Sequence, residues 1–161
     1  MNILTLGHEV LRQKAKEVTR IDQQTALLVK EMLETMHLGK GIGLAATQVG
    51  ILERIFVVHI ADDIPRVFIN PVLKGVSPET SLYEEGCLSI PGIYADVTRP
   101  EMISIEALDE RGNTFHLDAD GLLARVIQHE LDHLNGVLFI DHLSELKRKR
   151  IIRTWEQKFK A

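Results

Sequence analysis

Apolar positions recur along this chain with two different periods. Between Asp22 and Leu38 they include Leu28, Met32 and Met36, spaced by four, which predicts a helix with Asp22 as N-cap and Gly39-Lys40-Gly41 as its stop. Arg54 to Ile60 and Val67 to Leu73 are dense in Val, Ile and Phe and read as strands, the second broken by Asn70-Pro71. Met102 to Leu108 and Thr114 to Leu117 read as two more, joined by the turn Asp109-Glu110-Arg111-Gly112-Asn113. Helical spacing returns from Gly121 to Leu134, with Asp120 as cap and Asn135-Gly136 as terminator. A last helix starts at Ser144 and carries Arg148, Ile152, Trp155 and Phe159 on one stripe. Strands and helices do not alternate, so the expected class is α+β: mixed, mostly antiparallel strands packed around the 121–134 helix, with an N-terminal and a C-terminal helix.

Composition narrows the function without naming it. A chain of 161 residues, 45% hydrophobic, suits one domain over 1–161 with a substantial core. The net charge of -4 gives no global reason to expect DNA or an anionic membrane as partner. No apolar run approaches the ~20 residues that span a bilayer. Met1 to Glu9 lacks the basic and apolar segments of a signal peptide. The single cysteine, Cys87, excludes an intrachain disulfide and points to the cytoplasm.

The 121–134 helix carries the chemistry. His129 and His133 lie one turn apart, so both imidazoles can reach one ion, and Glu130 lies slightly around the helix, where it can reach a metal-bound water. Leu122 and Val126 extend the histidine face as an apolar wall, while Arg125, Gln128 and Asp132 form a polar ridge. The bland alternative is a hydrogen-bonded pair of core histidines. A catalytic site keeps three protein ligands and an open position. The metzincin-type continuation fits at Gly136 but fails at Phe139, and the thermolysin-type glutamate is weak, since Asp141 and Glu145 come too soon and only Glu156 follows. Cys87 is the remaining good candidate: Gly86 before it permits close backbone approach, and a thiolate binds zinc or ferrous iron well. A zinc endoprotease and a non-catalytic metal-binding module stay open as alternatives. Against the latter, structural zinc sites are closed by four ligands, and no fourth is evident.

Gly41-Ile42-Gly43-Leu44-Ala45-Ala46-Thr47-Gln48, Glu85-Gly86-Cys87-Leu88-Ser89 and His129-Glu130-Leu131-Asp132-His133 resemble the three motifs of the peptide deformylase family, in the family's order. The resemblance runs from Leu11-Arg12 to the Lys/Arg-rich last helix. It implies Cys87, His129 and His133 as ligands of one divalent ion, with iron(II) the usual physiological metal and zinc, nickel or cobalt able to replace it. It implies removal of the formyl group from the formyl-methionine of newly made polypeptides. Metal-bound hydroxide would attack, Glu130 would act as general base and then acid, and the Gln48 amide and the Leu88 backbone N–H would hold the oxyanion. The alternative for Gln48 is a loop residue tying down local backbone. Ile42, Gly43 and Gly86 would offer backbone groups to an extended peptide. The methionine pocket would be formed by Ile42, Leu122, Val126 and the His129 ring, with Tyr83 and the stem of Arg125 at its edge. Glu85 and Arg99 are expected as an orienting ion pair. Two departures stand out: Gly7-His8-Glu9-Val10 where many members carry Pro-Asp, and Arg125 where some relatives are apolar. Lys147-Arg148-Lys149-Arg150 is either a solvated helix face or, by resemblance, a surface for ribosomal RNA. His8, His37, His59, His116 and His142 show no ligand spacing and are expected to be structural or exposed.

Overall fold

The computed structural model describes residues 1–61 and 63–159. A 3₁₀ turn (Glu9–Arg12) leads to helix α1 (Gln23–Leu38), strand β1 (Gly43–Ala45), a 3₁₀ turn (Ala46–Val49) and strands β2 (Ile55–Val58) and β3 (Arg66–Val76). Strands β4 (Thr80–Cys87), β5 (Ile90–Pro100), β6 (Met102–Leu108) and β7 (Thr114–Asp120) follow. Helix α2 (Gly121–Leu134), a 3₁₀ turn (Phe139–His142) and helix α3 (Glu145–Phe159) complete the order. The architecture is α+β. One sheet runs β1-β2-β3-β6-β7, all antiparallel, and β4-β5 form a separate ribbon. No helix among the described residues is long and apolar enough to cross a membrane.

The period-2 pattern of β2 divides the core. Phe56 and Val58 face α2, packing with Phe68, Ile105, Val126 and Ile127, and the cross-strand partners Phe56 and Phe68 stack at 4.7 Å. Ile55 and Val57 face the other way, onto Val29, Met32 and Met36 of α1. The large sheet is thus held between two helices. A third cluster joins the ribbon to α3 through Leu11, Ile90, Val97, Phe139, Ile140 and Trp155. Helix α1 starts where expected, because the Asp22 carboxylate accepts from the N–H groups of Gln24 and Thr25.

Several expectations need correction. Asn70-Pro71 does not break β3; the strand runs through as a bulge, with Asn70 at φ 51 and its amide closing on both backbone groups of Val18. Asp120 occupies the N-cap of α2, but its side chain makes no capping bond. On the stripe of α3 only Trp155 is buried, and Phe159 covers it from outside, ring on ring at 3.9 Å. The β4-β5 ribbon was not anticipated at all. Its exposed Leu82, Tyr83 and Tyr94 hide any alternation of apolar and polar positions.

Candidate active site

Helix α2 lies against β1 and the ribbon tip, and this brings three distant segments together. Cys87 ends β4, and Leu88-Ser89 is the two-residue link to β5. The Cys87 thiol and one ring nitrogen each of His129 and His133 all lie within 4.8 Å of one another, so the three proposed ligands converge. Cys87 Sγ is 3.3 Å from His133 Nε2, and His129 turns Nε2 inward because its Nδ1 is held by Glu85 Oε1 at 2.9 Å.

The charges around this point favour a cation. Burial opposes a charged His129, but hydrogen bonding to Cys87 and Glu85 outweighs it and pushes the pKa of His129 well above its ordinary value. Burial, with His129 nearby, pushes His133 well down, so that ring stays neutral. Among the described residues, two buried side-chain atoms lack any hydrogen-bond partner: Glu130 Oε1 and His133 Nδ1. An unpartnered carboxylate oxygen beside one thiolate and two imidazoles is what a site for one divalent ion and its water would contain. The residues present therefore fit a metal: the chain carries a Cys/His/His site for a single divalent ion.

Glu85 is the hub of a buried network of ion pairs and hydrogen bonds. Arg99 grips it with Nε at 2.5 Å and Nη2 at 3.0 Å, the expected pair. Two further partners were not foreseen. Arg125 donates to Glu85 Oε2 at 2.6 Å, and Arg99 Nη1 also reaches Asp132 Oδ2 at 2.9 Å. The Arg125 head group is buried, with Nη1 on the Val97 carbonyl and Nη2 on Ser81, so the polar ridge of α2 does not face solvent. Burial would raise the pKa of Glu85, but bonds from His129 and Arg99 prevail and bring it to about 2. Burial pushes Glu130 up to about 7.

The open side is a cleft of about 600 Å³. It collects the expected Gly43, Tyr83 and Gly86 from strands β1 and β4, Ile42 just before β1, and Leu122, Arg125 and Val126 from α2. Leu122 and Ile42 are partly exposed at the rim, whereas Val126 is buried. Gln48 and Leu88 also line it. Gln48 is held at both ends of its side-chain amide. Its Oε1 accepts from Ala45 N–H at 2.9 Å, tying down backbone, and its Nε2 donates to Ser89 Oγ at 3.0 Å while facing Cys87 Sγ at 3.5 Å. Glycines make the packing possible. A Cβ on Gly43 would lie 2.5 Å from Glu130 Oε2, one on Gly41 would lie 2.5 Å from Leu88 Cδ1, and one on Gly86 would lie 2.5 Å from the Tyr94 ring. Tyr94, Ser89 and Lys40 are cleft or neighbouring residues that the sequence did not suggest. Ser89 lies within the Glu85–Ser89 motif, whereas Tyr94 lies on β5, which carries no local strand signal.

Comparison with known proteins agrees with this geometry. The profile of the family described as polypeptide deformylase matches residues 1–149. The peptide deformylase of Cellvibrio japonicus is 52% identical over 161 residues, covering 99% of this chain and 95% of that protein. A peptide deformylase of Neisseria meningitidis serogroup C is 52% identical over 153 residues, covering 94% and 91%. Among solved structures, the Ehrlichia chaffeensis peptide deformylase in complex with actinonin superposes with a TM-score of 0.96 at 39% identity, covering 100% of this chain and 98% of that one.

Proposed function

Because the chain belongs to the polypeptide deformylase family, we propose that Glu130 is its general base and acid, with Gln48 and the Leu88 backbone N–H steadying the oxyanion. The protein is a metallohydrolase that deformylates nascent peptides. Cys87, His129 and His133 would hold the divalent ion, which would supply Lewis acidity to activate water toward a pKa of ~7 and to polarise the formyl carbonyl. Glu130 receives the proton of the attacking water and passes it to the departing methionine amine, which restores the carboxylate. Its raised pKa, about 7, suits both halves of that transfer. Gln48 Nε2 and Leu88 N–H meet the charge that develops on the formyl oxygen. Ile42, Gly43 and Gly86 pair with the substrate backbone as an added strand. The methionine side chain enters between Ile42, Leu122 and Val126, with Tyr83 at the rim and the Arg125 stem as part of the wall. Glu85, held by Arg99, keeps the His129 ring turned toward the ion.

The observation that carries this reading is the unpartnered, buried Glu130 Oε1 beside the Cys87, His129 and His133 cluster. Iron(II) is the proposed physiological ion, with zinc, nickel or cobalt as substitutes, since thiolate and imidazole accept all four. We place the enzyme in the cytoplasm, acting as one catalytic domain over 1–161, with the basic helix α3 as a ribosome-docking surface. The deciding experiment joins metal analysis of anaerobically purified protein to a formyl-methionyl peptide assay. One iron per chain with formyl-dependent hydrolysis is expected. A Glu130→Gln variant should keep its metal and lose about 10²–10⁴-fold in kcat; full activity in that variant would overturn the assignment.

A further inference from the structure

His37 and His59 have no spacing that would pair them in the sequence, yet the fold joins them. His37 sits in the last turn of α1, and His59 directly follows β2. Their rings meet edge to face, with centroids 5.1 Å apart, and His37 Nε2 lies 2.9 Å from His59 Nδ1. The other nitrogen of His59, Nε2, lies 3.1 Å from the Asp63 carbonyl oxygen. A carbonyl only accepts, so His59 carries its proton on Nε2 and presents the Nδ1 lone pair toward His37. A ring N–H given to a backbone carbonyl is also the usual way in which a metal-ligating histidine is oriented.

We propose that His37 and His59 form a second metal site, outside the cleft, for one borderline divalent cation such as Zn²⁺, with water completing the coordination. Two nitrogens each about 2.0–2.1 Å from zinc at a tetrahedral angle stand roughly 3.3 Å apart, so the rings must part by a few tenths of an ångström and pivot until both lone pairs meet at the ion. His37 Nε2 donates its proton to His59 in the hydrogen-bonded pair. On binding, that proton shifts to His37 Nδ1 and Nε2 turns its lone pair to the ion, so the neutral pair releases no proton. The Asp63 carboxylate beside the pair is engaged by Arg66 at 3.0 and 3.2 Å, so the proposal takes the two imidazoles as its ligands among the described residues.

The position of the site gives it a consequence. His59 N–H donates to the Ile42 carbonyl at 2.8 Å, and Lys40 N–H donates to the His37 carbonyl at 3.0 Å, so the histidines bracket residues 38–42. Gly39 and Gly41 in that bracket pack on the Leu88 side chain. A cation across the pair braces this cleft wall without touching Cys87, His129 or His133.

The test starts from enzyme already carrying one zinc per chain and titrates further Zn²⁺ by calorimetry. Wild type should take up one additional equivalent in a saturable step. His37→Gln and His59→Gln should each lose that step and retain the first zinc. Nitrogen NMR of the wild-type rings should show the His37 proton moving from Nε2 to Nδ1 as the second equivalent binds. Hydrogen exchange of amides 39–42 should slow at the same point in wild type only. Absence of a second step, persistence of the step in both variants, or unshifted His37 and His59 rings at saturation would each overturn the proposal.

Discussion

At the scale of single residues, the two buried glutamates of the cleft are tuned in opposite directions by what surrounds them. Glu85 meets His129, Arg99 and Arg125, and its pKa falls from 4.5 to about 2. Glu130 meets few donors, and burial raises it to about 7. A carboxylate depressed in the folded state stabilises the protein above its unfolded pKa and loses that contribution as pH falls toward the folded one. Glu85 therefore supports the fold fully above about pH 4.5, by on the order of 3 kcal/mol, and the support disappears between pH 4.5 and about 2. Acid unfolding followed by circular dichroism should show a steep loss of stability in that window. Glu85→Gln should lack it and should be destabilised near neutrality by roughly 3–5 kcal/mol in urea, because the buried Arg125 guanidinium loses its charge partner and Arg99 keeps only Asp132. For Glu130 the sign concerns activity: only the ionised form accepts a proton, so kcat/KM should rise with pH along an acid limb at or below about 7, since a bound cation pulls a neighbouring carboxylate down.

At the scale of elements, strand β1 and the ribbon tip act through what they leave out. Gly43 vacates the volume taken by the Glu130 carboxylate, so Gly43→Ala, with its Cβ 2.5 Å from Oε2 and 2.9 Å from Val126 Cγ1, must displace that carboxylate or the strand. Metal content should stay at one per chain while kcat falls by up to about 100-fold, a loss typical of ångström-scale misplacement. The turn Phe139–His142 grips α2 from the other side. Phe139 stacks on the His129 ring at 5.9 Å and 24°, and His142 Nε2 contacts Asp132 Oδ2 at 2.8 Å. Phe139→Ala should cost about 3–5 kcal/mol of stability and speed metal loss to a chelator; an unchanged off-rate would show that the stacking does not orient the ligand. These elements also mark how far the sequence could be read. Helices α1 and α2 and the hairpin β6-β7 were legible because caps, terminators and periodicity are local signals. The ribbon β4-β5 was not, because its outward residues are apolar and its stability comes from packing on α3 and the 139–142 turn. The motifs pointed to Cys87, His129, Glu130 and Gln48 because residue type and order suffice there. No local signal tells that the Arg125 head group turns inward to Glu85, and the meeting of His37 with His59 is likewise a product of tertiary closure.

At the scale of the whole molecule, charge is distributed against the net value. The chain is acidic at -4, yet α3 carries six Lys or Arg against two Glu. Trp155 anchors this helix to the body, buried in the third cluster and donating its indole N–H to the Leu6 carbonyl at 3.1 Å. The anchored face leaves Lys147, Lys149 and Arg150 exposed, with Arg148 half-buried, and of these Lys149 is paired with Glu145 at 2.9 Å. The far end of α3 comes close to the cleft: Lys158 Nζ lies 3.8 Å from where a Cβ on Gly92, a cleft residue, would sit. The proposed docking on ribosomal RNA would use this basic face, which runs toward the mouth of the cleft. Replacing Lys147, Arg148, Lys149 and Arg150 together by Gln should weaken co-sedimentation with ribosomes. It should also flatten the dependence of log K on log salt by roughly 3, as expected when four phosphate contacts at about 0.7–0.9 each are lost. Turnover of short formyl-methionyl peptides should be unchanged, because none of the four lines the cleft. Ribosome binding that survives the fourfold substitution with its salt slope intact would mean that α3 is a solvated face, and that the enzyme meets its substrates by diffusion alone.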